Sequence, residues 1–252
     1  TGLISDCTPE GFPYIHDGIN PEAPIFLGTE PTSPGTAMTF DVIGTAEAGA
    51  TLTLHLDQDC ATPPLVTTAV LETGEFTAGV EAIANSPLSL WGRATDGAGN
   101  LSPCTDESVV YVHDDVPPPA PVLTGTLPPS PAPTTEPLVL GTSDPVVTIE
   151  LFSNPACVGA TLGSGLSTEE GTFEVPATVT EDGTTYVFAH AVDAAGNVSA
   201  CSTDSLVYEY DDSQPEIPQI VSSDPESPAN HNEPLLIGAA QAQTTVMIYT
   251  NA

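Results

Sequence analysis

Hydrophobic positions along this chain alternate with polar ones at a spacing of two, in short bursts. "TLTLHL" (51–56) puts Leu52, Leu54 and Leu56 on one face, "TIEL" (148–151) does so with Ile149 and Leu151, and "TVMI" (245–248) with Val246 and Ile248. A period of two marks a strand with one buried face. Apolar residues at the 3.6-residue period of a helix are hard to find. The bursts are separated by turn formers, drawn from 27 prolines and 21 glycines, so the strands are short and numerous.

The bursts recur on a ruler of 97 residues, without gaps. Cys7, Cys104 and Cys201 fall in register, as do Tyr14, Tyr111 and Tyr208, then Asp17, Asp114 and Asp211, then Pro34, Pro131 and Pro228, and then Gly44, Gly141 and Gly238. The chain therefore divides into the end of one repeat (1–16), two whole repeats (17–113 and 114–210) and the first part of another (211–252), as expected of a stretch of a longer array. About seven strands in 97 residues fit an immunoglobulin-like sandwich. In the second unit the pattern predicts strand A near 122–125, B near 138–142, C near 147–152, F near 185–192 and G near 205–210. Strand F alternates small or aliphatic residues with aromatics, so Trp91 and Phe188 are expected on the outer face, as surface contacts for a partner chain or a sugar.

Composition narrows the function. The chain of 252 residues carries 34 acidic residues against one basic residue, Arg93, a net charge of −33, while 40% of residues are hydrophobic. That apolar share is enough to fill cores. Such a surface repels phosphates and anionic lipid heads, which excludes a nucleic acid partner. No apolar run approaches the roughly 20 residues of a membrane span, and "TGLISDCTPEG" lacks the regions of a signal peptide. Any targeting segment is expected outside these residues. High salt is another setting that favours an acidic surface.

Cys60 to Cys104 and Cys157 to Cys201 are each separated by 44 residues. A pair recurring in every unit argues for one disulfide per sandwich and for an oxidising compartment. Closing such a loop stabilises each unit by roughly 3 to 4 kcal/mol. The rival pairing, Cys7 with Cys60 and Cys104 with Cys157 across 53 residues, would staple neighbouring units together. The first lets each sandwich fold by itself and leaves the partner of Cys7 outside the sequence. No Cys-x-x-Cys cluster suggests a metal, and no recurring geometry with His16, His55, His113, His190 or His231 suggests a catalytic thiol.

Two stretches, "SSDPESPANHNEPLLIGAAQAQTTVMIYTNA" (222–252) and "DAAGNVSACSTDSLVYEYDDSQPEIP" (193–218), carry a resemblance that extends along the whole chain. It resembles the bacterial immunoglobulin-like (Big-type) tandem repeats of large secreted or surface proteins of myxobacteria, and more loosely those of giant calcium-dependent adhesins. The resemblance implies an all-β fold of tandem immunoglobulin-like β-sandwich domains in an extended array, an extracellular or cell-surface location and no enzymatic activity. It departs at "GAAQAQ" (238–243), which lacks the acid of "GTAEAG" and "GTSDPV".

In such a sandwich the B–C and F–G loops lie at the pole where the chain enters. The linker "HDDVPPPAP" (113–121) should therefore meet "DAAGN" (193–197) and "GTSDP" (141–145), bringing Asp114, Asp115, Asp144, Asp193 and Asn197 to one joint. Asp17, Asn20, Glu47, Asp96 and Asn100 build the joint before it, and Asp211 and Asp212 begin the next. Carboxylates crowded together repel, and calcium, which takes six to eight oxygens in flexible geometry, is the cation that fits. The plain alternative is that Asp-x-Ala-Gly-Asn is a turn, in which Asp caps the backbone and Gly and Asn take the left-handed conformation. Both roles are expected of Asp193. The prolines make each linker a semi-rigid strut. "NLS" (100–102) and "NVS" (197–199) match the sequon for Asn-linked sugar, though the turn explains both asparagines.

The chain thus reads as a structural segment, a stalk, surface filament or adhesin shaft, stiffened by calcium at the joints and by domain disulfides. Its expected partners are the neighbouring repeats and, in a fibre, copies of itself. The alternative is a carbohydrate- or protein-binding module using Trp91 and Phe188. Nothing resembles a catalytic pocket or a nucleophile elbow.

Overall fold

The computed structural model describes residues 14–181, 183–242 and 244–249, in which sixteen strands and no helix form. No helix there is long and apolar enough to cross a membrane. The first whole unit holds β1 (Ile25–Glu30), β2 (Thr39–Thr45), β3 (Thr51–His55), β4 (Val66–Ala69), β5 (Glu75–Glu81), β6 (Pro87–Thr95) and β7 (Val109–Val112). They make a sheet ordered β1-β2-β5 and a sheet ordered β4-β3-β6-β7. The second unit repeats this with β8 (Val122–Leu127), β9 (Leu138–Thr142), β10 (Thr148–Phe152), β11 (Gly163–Leu166), β12 (Thr172–Pro176), β13 (Thr184–Val192) and β14 (Leu206–Glu209). Its sheets are β12-β9-β8 and β11-β10-β13-β14. Three strands facing four, with all ladders antiparallel, is an immunoglobulin-like sandwich whose fourth strand lies beside the third. β8, β9, β10, β13 and β14 are the A, B, C, F and G strands expected from the period-two pattern. In the third unit β15 (Gln219–Asp224) and β16 (Leu235–Ala239) pair as A and B do.

Alternation explains why these segments are strands. Along β5, Phe76, Ala78 and Val80 are buried while Glu75, Thr77, Gly79 and Glu81 point away; along β6, Leu88, Leu90, Gly92 and Ala94 are buried in turn. Each inward large side chain removed from water contributes roughly 1.5–3 kcal/mol. Phe40 stacks on Tyr111 with ring centroids 4.1 Å apart, and the Tyr111 hydroxyl donates to the carbonyl of Ala37. Tyr208, its counterpart, donates to Ala132 and Thr134, and burial raises the pKa of its hydroxyl above the ordinary tyrosine value. Gly44, Gly141 and Gly238 have no alternative: a Cβ on Gly141 would lie 2.2 Å from the Phe173 ring and 2.5 Å from the Val122 carbonyl, where the A strand presses closest.

The lower end of each G strand is tied to its own A–B loop. Val112 donates to Ser33 Oγ and accepts from Gly35 N–H, and Glu209 repeats this with Ser130 and Ala132. Parallel bridges Gly35 to His113 and Ala132 to Tyr210 continue the contact. Pro31 and Pro34 follow cis bonds, as do their counterparts Pro128, Pro131, Pro225 and Pro228.

The structure pairs Cys60 with Cys104 and Cys157 with Cys201, each within one sandwich, linking the loop after strand C to the loop after strand F. Cys7 lies outside the described residues. The guanidinium of Arg93 donates to the carbonyls of Asp59 and Cys60, holding the first of these loops; His190, at the same position of the second unit, pairs with Glu150 at 2.7 Å.

Two strand expectations need correcting. Leu56 does not share the buried face of Leu52 and Leu54: β3 stops at His55 and Leu56 is 54% exposed. His55 is buried instead, its ring nitrogens bonded to the Thr62 carbonyl and Thr53 Oγ. "TVMI" forms no strand, and Val246 and Ile248 are exposed, because no partner strand stands beside them among the described residues.

Candidate functional site

The loop between strands F and G closes on Asp193. Its Oδ1 accepts from the N–H groups of Ala195 and Asn197, both at 2.9 Å, and its Oδ2 accepts from Asn197 Nδ2 at 2.9 Å. Asp193 N–H donates to the Asn197 carbonyl, and Gly196 takes the left-handed conformation with φ 88°. Each bond joins residues two or four apart, so the loop is a local consequence of Asp, Gly and Asn in this order. Asp96, Gly99 and Asn100 build the same loop in the first unit, with Asp96 Oδ2 accepting from Asn100 Nδ2 at 2.7 Å. The Asn100 amide, aided by backbone N–H groups against the cost of desolvation, holds the Asp96 carboxyl below the usual carboxylate pKa.

The second hydrogen of each Asn amide reaches the incoming linker. Asn197 Nδ2 donates to the carbonyl of Asp114 at 3.0 Å, and Asn100 Nδ2 to that of Asp17 at 3.3 Å. Asp114 is also held from behind, since its own N–H donates to the Gly35 carbonyl of the first sandwich at 3.0 Å. One peptide-length piece of backbone is thus gripped by two sandwiches. Asp211 repeats the rear grip, donating to Ala132. The side chains of these linker acids serve a turn: Oδ1 of Asp17, Asp114 and Asp211 accepts from the N–H of Ile19, Val116 and Ser213. The Ser213 hydroxyl and then its N–H hold the Asp211 carboxyl below its ordinary pKa.

The anticipated meeting of linker and F–G loop is present, but its chemistry is that of amides and carbonyls. Asp193 and Asp96 spend both carboxylate oxygens on N–H groups of their own loops. Asp144 contributes a backbone carbonyl, which accepts from Ser167 Oγ, and its residue is exposed, as are Glu47, Asn20, Asp115 and Asp212. Among the described residues no group of three or more His, Cys, Asp or Glu is arranged to hold a metal ion. The asparagines of both sequons use their side-chain nitrogen in the joint, so a sugar attached there would displace the contact to Asp17 or Asp114.

Sequence reasoning missed the exit side of the joint. Asn85, in a left-handed conformation with φ 50°, donates its N–H to His113 Nδ1 and accepts the Asp115 N–H on its Oδ1. His113 is buried. The Ser-Pro at 33–34, 130–131 and 227–228 was the available signal for the A–B loop contact, because it recurs on the same ruler. Trp91 and Phe188 do face outward from the core, yet both are half-buried. Each is paired across to the end of strand C, at His55 and at Phe152, and Phe152 packs edge-on against His190 at 4.8 Å.

No family model matches the chain, and no curated protein matches it. Among solved structures it is similar to the FN1–FN3 domains of chicken CNTN1, at 10% identity and a TM-score of 0.47, covering 75% of this chain and 66% of that one. It is similar to the human OSCAR ligand-binding domain, at 17% identity and a TM-score of 0.37, covering 75% of this chain and 100% of that one. It is similar also to the BSP domain of a biofilm-associated protein, at 14% identity and a TM-score of 0.29, covering 77% of this chain and spanning 30% of that one.

Proposed function

We propose that this chain is a structural segment of an extracellular or cell-surface repeat protein, serving as a stalk, surface filament or adhesin shaft. The observation that carries the proposal is the double grip on Asp114, by Gly35 of one sandwich and Asn197 of the next. The front grip recurs at Asp17 and the rear grip at Asp211, and a load-carrying string has more use for such recurring contacts than a binding or catalytic domain does. Two disulfides support an oxidising location, and a chain with a single basic residue offers trypsin-like proteases one cleavage point. The proline-rich linkers add stiffness of their own.

Calcium belongs to this proposal as an addition to the joint. The carboxylates of Asp115 and Asp144, and of Glu47 and Asp212 at the other joints, are exposed and have oxygens to offer a cation. Small-angle X-ray scattering of the chain, with millimolar calcium and with chelator, for the wild type and for Asn197→Ala, tests both parts. A shaft predicts that Asn197→Ala broadens the scattering profile of a stiff particle. An unchanged profile overturns the joint. Insensitivity to chelator removes calcium alone.

A further inference from the structure

The two sandwich edges formed by the first and last strands are open, and in the first whole unit the gap between them is a groove. One cleft of about 520 Å³ runs between Ala23–Gly28 and Thr105–Val110, and a second of about 460 Å³ continues it along Leu27–Glu30 and Ser33. Ile25, Leu27 and Val110 are exposed in its walls, at 62%, 68% and 41%. β1 and β7 belong to different sheets and do not pair.

The backbone of β7 is prepared for another strand. Val112 turns its N–H and C=O away from β6, toward Ser33 and Gly35. Antiparallel pairing alternates direction residue by residue, so Val110, two positions earlier, turns its own N–H and C=O the same way, into the groove. There they meet no partner strand among the described residues. β1 offers no such template, since its register breaks at a bulge between Phe26 and Gly28, a device that spoils an edge for pairing. We propose that the upper half of β7 in this unit accepts an added strand: an extended, basic segment of another protein, with alternating apolar side chains inserted between Ile25, Leu27 and Val110.

Charge decides the occupant. Glu30, Asp106 and Glu107 line the groove and are exposed, while the chain itself carries one basic residue and a net charge of −33. A second copy would bring like charge to a like rim, whereas lysines or arginines on the solvent face of an added strand would meet three carboxylates. The second unit supplies an internal control. Val122 and Val207 keep apolar walls there, but Thr124 stands in place of Leu27, and Leu127, Thr203 and Asp204 in place of the three acids. This surface is independent of the joints.

The test uses the whole chain and a dye-labelled ten-residue peptide of alternating Val and Lys, compared by fluorescence anisotropy with a peptide of the same composition in block order. The alternating peptide is expected to bind one site at least ten-fold more tightly, and to slow hydrogen exchange at the Val110 amide. Val110→Pro removes that amide at an edge where proline is tolerated, and is expected to lower affinity ten-fold or more. The variant Glu30→Gln, Asp106→Asn, Glu107→Gln, confined to exposed side chains, should keep its unfolding temperature, bind about ten-fold more weakly and flatten the dependence on salt. Equal binding of the two peptides, protection located away from Val110, or wild-type affinity in either variant overturns the proposal.

Discussion

Replacing Asn197 by alanine is the perturbation that isolates the joint. Its amide nitrogen makes two hydrogen bonds, at 3.0 Å to the Asp114 carbonyl and at 2.9 Å to Asp193 Oδ2. Asp193 Oδ1 keeps both backbone N–H donors, so the loop retains its frame. The bond to the linker has a neutral acceptor and contributes about 1 kcal/mol, which raises the population of the released joint about five-fold. Loss of the charge-assisted bond within the loop costs the second sandwich about 1.5–3 kcal/mol, so its unfolding has to be followed in parallel. The assay is the distance distribution between spin labels placed through unnatural amino acids at the exposed Glu72 and Glu169, one on each whole sandwich. Asn197→Ala should broaden it. Asn100→Ala, which releases only the preceding linker at Asp17, should leave it as in the wild type. Equal distributions in all three proteins would refute the hydrogen-bonded joint, and broadening in both variants would show that the loop acts through the stability of a sandwich instead.

Other consequences can be checked in the same unfolding experiments. The double substitution Cys157→Ser, Cys201→Ser should lower the stability of the second sandwich by about 3 to 4 kcal/mol in urea, and reduction of the wild type should match it. Gly141→Ala forces a methyl against the Val122 carbonyl and the Phe173 ring and should cost about 1–3 kcal/mol, whereas Gly125→Ala, which meets nothing within 4 Å, should change stability by less than about 0.5 kcal/mol. The depressed carboxyl of Asp96 adds stability that is complete above the ordinary carboxylate range, near pH 4, and is lost as pH falls through its lower folded-state value. Urea titrations between pH 6 and about pH 2 should show that decline, reduced in Asp96→Asn; an identical pH slope in the variant would rule out this carboxyl as a source.

The parts of this molecule legible in the sequence are those set by local alternation or by exact repetition. Leu52 and Leu54, or Ile149 and Leu151, announce a strand because both states of a period-two pattern are visible within a few residues. The disulfide spacing left two pairings open, and the requirement that each sandwich fold alone favoured the one the structure forms. Leu56 was misplaced because nothing local shows where a strand stops, and the ring of His55, polar but bonded at both nitrogens, fills a buried place that composition would assign to an apolar residue. The joint was half legible. Asp193 and Asn197 interact across four residues, but the rear grip of Gly35 on Asp114 spans the whole first unit, and Asn85 gains its role only when the chain brings residue 113 beside it. Counting carboxylates could not show that those of Asp96 and Asp193 are occupied by N–H groups of their own loops.

The disulfides also set how far the chain can lengthen under load. A unit of 97 residues pulled open by its ends would extend toward about 330 Å, at roughly 3.4 Å per residue. The crosslink shields the 44-residue separation between its cysteines from tension, leaving about 53 residues and roughly 180 Å. Strands β4, β5 and β6, between Cys60 and Cys104, form the part of the first sandwich that the crosslink closes into a loop, while β1, β2, β3 and β7 lie in the part that can be drawn out. A surface structure built this way would yield by short steps, with a tether left across every broken unit and its cysteine-closed loop ready to template recoil when the pull ends.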